Sequence, residues 1–381
     1  MAVPRILHII TALEMGGAER SLANLLLDRP GERQDAHVVS LSGRGHYSDI
    51  LAGHGIGVDH LELSRSPRLL SAPLRLRRII RRFRPDVIQG WMYHGNLIAS
   101  LAGLMAGPRV SVAWNIRQSL YDVATEKSGT QQVIRMLAKL SARPDAIVYN
   151  SFQARDHHEA FGFRSAGSGM VIPNGFDTAR WRPDAAHRQT MRSALAVADT
   201  DIVAGFVGRY HPIKDVPTFL AASAKAMAPD PRLHIALVGE GLNADNPALA
   251  AHFARLPAGR VHSLGRRGDI EKILPGFDLL CLSSASEGFP NVLGEAMATA
   301  LPCIATDVGD CARVMDGRGR IVPPGDVAAM ATAMSDLGDL SAARRHAIGM
   351  AARDRIVTGF GFDATLDAYT RLYDSLVKRE D

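Results

Sequence analysis

The chain has 381 residues, more than one hydrophobic core usually supports, and its 46% apolar and 22% charged content excludes general disorder. Aromatic residues are 6% of the chain with no interleaving of basic and aromatic positions, which argues against nucleic acid as a partner. The net charge of +5 is uneven: residues 1–172 carry 21 basic and 14 acidic side chains, the remainder 23 and 25, so the first half faces an anionic partner or has a solvated basic face.

Three cysteines, Cys281, Cys303 and Cys311, show no metal-ligand spacing and fit a reducing, cytoplasmic compartment. The first apolar run is broken by His8 and Thr11 and makes a poor signal peptide.

In chain order, short β-branched runs alternate with helix-length amphipathic segments. The runs are Ile6–Ile10, His37–Leu41, Val87–Ile88, Val110–Trp114 and Ala146–Tyr149, then Val171–Ile172, Ile202–Val207, Ile235–Val238, Val261–Leu264, Leu279–Leu282, Cys303–Ala305 and Arg320–Val322. Runs this apolar suit strands buried on both faces, and their spacing suits right-handed βαβ units. The expected fold is α/β: two Rossmann-like, doubly wound parallel-sheet domains facing a cleft. Small residues at Ser165–Gly169 and the Pro173-Asn174-Gly175 turn mark the junction, giving a first domain over 1–169 and a second over 170–358. The segment 359–381 reads as a last helix, with Phe362, Leu366, Tyr369, Leu372 and Leu376 on one stripe.

Two segments invite a membrane reading. Val87–Pro108 is free of charge, but Gln89, His94, Asn96 and its glycines read better as strand, turn and helix. Residues Arg65–Arg84 hold eight arginines and no acid, with Leu76, Ile79, Ile80 and Phe83 at helical spacing. Either this helix lies on an anionic membrane surface, or the stripe is core and the arginines are solvated.

In open parallel sheets, ligands bind beyond the carboxyl ends of strands. After the first strand, Gly16-Gly17-Ala18-Glu19 lets backbone approach an anion at a helix start, or is simply a tight turn. It lacks the third glycine of a dinucleotide fingerprint. After Ile202–Val207 come Arg209 and Lys214, which suit a diphosphate or are two solvated cations. After Leu279–Leu282, Glu287 lies in a polar loop with Gly288, Pro290 is placed as a first helical residue, and Glu295 follows inside the helix. Asp199-Thr200-Asp201 precedes a strand and reads as a surface turn, leaving no metal site.

Ser286-Glu287-Gly288-Phe289-Pro290-Asn291-x-x-x-Glu295-Ala296 resembles the Glu-x7-Glu motif of the family 4 retaining GT-B glycosyltransferases (group 1 type). The Gly16–Glu19 loop, Pro173-Asn174-Gly175-x-Asp177, and Gly208-Arg209 with Lys214 match the same family in the same order. The resemblance implies an acceptor domain, a nucleotide-sugar donor domain and a last helix returning to the first. It implies that Gly17, Arg209 and Lys214 hold the donor diphosphate. It places Glu287, Gly288, Phe289, Pro290 and Asn291 at the donor sugar, and Val292 and Glu295 at the nucleotide. His94 would face the transferred sugar, and Glu287, Arg209 and Lys214 join it as the catalytic set. Asn115 and Arg117, with Gln118, are acceptor-side candidates after the next strand. The family often has Lys-Gly where this chain has Lys214-Asp215.

The implied activity is metal-independent, retaining transfer from a nucleoside diphosphate sugar, with uridine the expected base. The implied acceptor is a saccharide or lipid-linked saccharide, in polysaccharide or glycolipid assembly. No cofactor is expected. A sugar-nucleotide epimerase or hydrolase, or a non-catalytic sugar-nucleotide sensor, would use the same donor pocket.

Overall fold

A computed structural model describes residues 3–28, 34–63, 66–164 and 169–377, the side chains of 66–68 excepted. Among these residues the first sheet has seven strands: β1 (Arg5–Ile10), β2 (Asp35–Ser40), β3 (Gly57–His60), β4 (Val87–Trp91), β5 (Ser111–Ile116), β6 (Ala146–Tyr149) and β7 (Met170–Val171). The second has six: β8 (Ile202–Val207), β9 (Leu233–Val238), β10 (Val261–Ser263), β11 (Leu279–Leu282), β12 (Cys303–Thr306) and β13 (Arg320–Val322). Their orders are β3-β2-β1-β4-β5-β6-β7 and β10-β9-β8-β11-β12-β13, and every pairing is parallel. The central strands are buried along their whole length, as their uninterrupted apolar runs require. β3 was not anticipated, because Gly-Val-Asp-His is a half-buried edge strand with no apolar run.

The chain forms two compact units: residues up to Asn174 together with those from Asp363, and Gly175–Phe362. The expected boundaries at 169/170 and 358/359 therefore move. Residues 170 and 171 remain in the first sheet because β7 pairs with β6, Val148 opposite Met170 and Tyr149 opposite Val171. At the other crossing, the Phe176 N–H donates to the Phe360 carbonyl (2.9 Å) and the Phe362 N–H to the Phe176 carbonyl (3.1 Å), which keeps 360–362 in the second unit. Residues 165–168 of the expected junction lie outside the described residues.

In the first unit, β4 runs straight into the helix Met92–Ala106, with Met92 at φ +63° making the bend without an intervening turn. A Cβ at Gly95 would fall 2.6 Å from the Ile9 carbonyl oxygen, so glycine is what lets this helix lie against β1. The charge-free stretch thus packs on the sheet, and among the described residues no helix is long and apolar enough to cross a membrane.

In the helix Ser66–Phe83 the stripe is core, the second of its two readings. Leu76, Ile79, Ile80 and Phe83 are buried in one core with Leu7, Ile9, Val39 and Ile88. That stripe does not face lipid. Arg65, at the end of the basic segment, lies outside the described residues.

The last helix, Phe362–Leu376, belongs to the first unit and buries Leu366, Tyr369, Leu372, Tyr373 and Leu376. Ser111 Oγ donates to the Leu376 carbonyl (2.6 Å), and the Tyr373 hydroxyl donates to Gln89 Oε1 (2.6 Å). Tyr369 stacks on Trp91 with ring centroids 6.4 Å apart. Trp91 Nε1–H in turn donates to His8 Nδ1 (3.1 Å), leaving His8 Nε2–H to donate to Gln34 Oε1 (2.9 Å). Burial pushes His8 down to about 4, and does the same to His158, whose ring bridges Tyr93 (2.9 Å) and the Ala154 carbonyl (2.6 Å).

Candidate functional site

Strand order reverses between β1 and β4 in the first sheet and between β8 and β11 in the second. At such a point neighbouring crossovers leave in opposite directions and open a crevice beyond the carboxyl ends. The four segments singled out from the sequence follow these four strands: Gly16–Glu19 after β1, the helix start with His94 after β4, Arg209 to Lys214 after β8, and Glu287 after β11.

In the second unit the β8 and β11 loops interlock. Ser283 Oγ donates to the carbonyls of Lys214 (3.0 Å) and Asp215 (2.9 Å), and the Ala285 N–H donates to the Ile213 carbonyl (2.8 Å). This register brings Lys214 Nζ to Glu287 Oε1 at 2.6 Å, where Ser284 Oγ also donates (2.7 Å). Thr306 Oγ1, at the end of β12, donates to the Ser284 carbonyl (2.6 Å) and braces the loop from below. The Lys214 and Glu287 side chains are only 22% and 10% exposed, so their pairing is partly shielded from water. An ammonium has three donors and Glu287 takes one, which leaves capacity for an incoming anion. Arg209, two residues past β8, is exposed and has no ion-pair or hydrogen-bond partner among the described residues.

The departure at Asp215 has a physical resolution. Asp215 adopts the left-handed conformation (φ 42°, ψ 52°) that glycine would supply, and its carboxylate accepts from the Thr218 N–H (3.3 Å) to cap the helix Val216–Met227. Aspartate tolerates this region better than most side chains, and the cap offsets the remaining strain.

Pro290 proves to be the residue before the helix Asn291–Ala298 and not its first residue. Glu295 is buried on that helix at 4% exposure. Gly288, Asn291 and Val292 are half-buried beside it. Phe289 is turned into the core, its ring 6.0 Å from Phe176 and 5.8 Å from Phe360. A Cβ at Gly294 would lie 2.0 Å from the Phe176 ring, so the chain crossing at Phe176 seats directly against the turn of helix that carries Glu295. Phe176, Ser284 and Thr306 were not singled out by the sequence; only the Ser283-Ser284 pair closing an apolar strand hinted at them.

In the first unit, Gly17 begins the helix Gly17–Leu27 and is exposed, and its N–H is a first-turn donor that no described residue fills. A Cβ at Gly16 would meet the Glu19 carboxylate at 2.2 Å, and burial raises the Glu19 pKa. His94 is the third residue of its helix, half-buried, and among the described residues its imidazole has no partner; the local hydrogen bond that would make it merely structural is not formed.

The acceptor-side candidates fare differently. Asn115 is fully buried, and its Nδ2 donates to the Tyr369 hydroxyl (2.7 Å), so it fastens the last helix and lines no binding surface. Arg117 also bonds Tyr369 (3.3 Å) and Asn174, with its guanidinium 5.4 Å above the Trp91 ring. Gln118 Nε2 donates to Glu126 (2.9 Å). Asp201 Oδ2 accepts from the Ala198 N–H (2.7 Å), confirming a turn at 199–201, and among the described residues no group of three or more His, Cys, Asp or Glu is placed to hold a metal.

Two parallel α/β units with their motif loops at the switch points define the GT-B class, and solved structures share it. Anabaena HepE, solved with UDP, superposes with a TM-score of 0.84 at 22% identity, covering 97% of this chain and all of that one. Residues 15–180 match the family described as Glycosyltransferase Family 4, and residues 201–339 the family described as Glycosyl transferases group 1. The chain belongs to this glycosyltransferase family. Among curated relatives, the lipopolysaccharide core biosynthesis glycosyltransferase LpsE of Rhizobium meliloti is 27% identical over 94% of this chain and 96% of its own length. A D-inositol 3-phosphate glycosyltransferase of Kineococcus radiotolerans is 29% identical over 66% of this chain, which spans 60% of that relative's length.

Proposed function

We propose that the protein transfers a sugar from a UDP-sugar to a saccharide or lipid-linked saccharide on the cytoplasmic side, in polysaccharide or glycolipid assembly. Transfer retains anomeric configuration and uses no metal. The observation that carries this reading is the Lys214–Glu287–Ser284 network beyond β8 and β11, with Arg209 left unpartnered two residues past the strand. HepE, of the same fold, has been solved with UDP and with UDP-glucose, and the name of LpsE places that relative in lipopolysaccharide core synthesis.

In this reading Arg209 grips the donor diphosphate with its planar fork, and Lys214 adds a point charge. Negative charge on the diphosphate grows as the anomeric bond breaks, so both cations bind the transition state more tightly than the ground state. Glu287, already held by Lys214 and Ser284, orients a sugar hydroxyl. Glu295 accepts from the ribose, with the Phe289–Val292 backbone beside sugar and phosphate. The His94 imidazole, without a partner among the described residues, is left for the transferred sugar.

A thermal-melt panel of UDP, GDP and ADP and their common sugars, with and without EDTA, tests the donor assignment. Ligand at a hundred times its dissociation constant adds about 2.7 kcal/mol, which moves the melt by about 2–4 °C at this size. A UDP-selective shift that survives EDTA is expected, followed by slow donor hydrolysis alone and rapid turnover with acceptor. No shift with any nucleotide would overturn the assignment; rapid donor conversion without acceptor would mark an epimerase or hydrolase.

A further inference from the structure

The helix Ser66–Phe83 has a second face that the core does not use. Leu70, Leu74, Arg77 and Arg81 recur at intervals of four, three and four residues, so they form one line along the helix. Leu70 is 86% exposed and Leu74 68%, with Leu69 at 53% on the flank. Arg77, Arg78 and Arg81 are exposed, and among the described residues none has an ion-pair or hydrogen-bond partner.

Their neighbours on the same helix behave otherwise. Arg75 donates to the His60 and Leu61 carbonyls, and Arg82 to Asp59 (2.6 Å). Those two hold the fold together; the other three are available. The adjoining helix Met92–Ala106 adds Leu101 and Leu104, 47% and 74% exposed.

We propose that this outer face docks the protein on an anionic lipid bilayer, with Leu70 and Leu74 entering the acyl boundary and Arg77, Arg78 and Arg81 meeting headgroup phosphates. The bilayer interface sets a negative layer over an apolar one, and this face sets leucines beside unpaired cations with no acid along the segment. Nucleic acid would use the arginines alone, and an acidic protein has no general use for the leucines. Arginine's long stem lets its charge stay with the phosphates while its methylenes follow the leucines inward. The inference does not depend on sugar transfer, and its test needs neither donor nor acceptor.

The test is co-sedimentation with phosphatidylcholine vesicles, alone and mixed with phosphatidylglycerol, at low and high salt. The protein should bind the mixed vesicles, release them at high salt and ignore pure phosphatidylcholine. R77A/R78A/R81A should weaken binding on the order of a hundredfold, and L70S/L74S should weaken it about tenfold or more. Both variants change solvent-facing positions, so unchanged circular dichroism and melting should show the fold intact. Equal binding to both vesicle types, or binding to neither, would overturn the proposal. So would L70S/L74S binding like wild type while soluble polyglutamate displaces the protein, which would assign the face to an acidic protein chain.

Discussion

The two units share one parallel layout and use their interior polar groups for different ends. In the first, polar residues on β4 and β5 are committed to holding a helix from the far end of the chain: Gln89 to Tyr373 and Asn115 to Tyr369. In the second, Ser283, Ser284 and Thr306 are committed to bracing the two loops that carry Lys214 and Glu287. Polar side chains at the carboxyl ends of buried strands are therefore not all ligand contacts. Spare bonding capacity at an accessible position separates them: Arg209 and His94 have no partner among the described residues and Lys214 keeps donors beyond the one Glu287 takes, whereas Asn115 is fully buried and already bonded.

The contrast predicts a graded set of outcomes. The largest is on the second unit: Arg209→Ala should lower turnover by about 10²–10³-fold, as loss of one charge-stabilising donor does, and leave the melting temperature unchanged because the side chain is exposed and unpartnered. Full activity in R209A would break the proposed donor geometry.

Next is the acid response of the first unit. His8 and His158 sit near pKa 4 when folded, below their usual 6.5, because burial favours the neutral ring. The unfolded chain takes up protons first on acidification. Their stabilising contribution is therefore complete above about pH 6.5 and is lost as pH falls toward 4, up to about 3 kcal/mol for each ring. Denaturant titrations across this range should show the loss, and H158Q should remove part of the slope.

Smaller still, Gly294→Ala should cost about 1–3 kcal/mol by pushing the Phe176 ring, and should raise the donor KM because the adjoining turn carries Glu295. A weakened acceptor KM with donor binding intact would contradict that coupling. The smallest is Tyr369→Phe, which orphans the buried Asn115 amide and should lower stability by about 1–2 kcal/mol, read as a melting shift with donor affinity unaltered.

Much of the fold was readable because parallel strands buried on both faces leave continuous apolar runs, and β8 and β11 are such runs. β3 escaped because an edge strand needs no such run. The loops after β8 and β11 were readable because charge, glycine and proline cluster within a few residues of a strand end. The bracing of that site was not, since Ser284 meets Thr306 across 22 residues and Phe176 meets Gly294 across many more. The helix Ser66–Phe83 was ambiguous for a different reason: periodicity reveals that a stripe exists but not which surface receives it. There the core took the stripe that sequence offered to lipid, and the leucines left outside carry no helical repeat long enough to notice.

The first unit is also interrupted, since its closing helix arrives only after the whole of Gly175–Phe362 has been made. Gln89 must wait 284 residues for Tyr373, and Asn115 waits 254 for Tyr369. On the ribosome, the inner unit can therefore complete itself while the outer one is still open along one sheet face, with Trp91 and Asn115 uncovered. A stalled or truncated chain would leave a finished second unit attached to an unfinished first one, and quality control should recognise the segment made first as the part that is missing something.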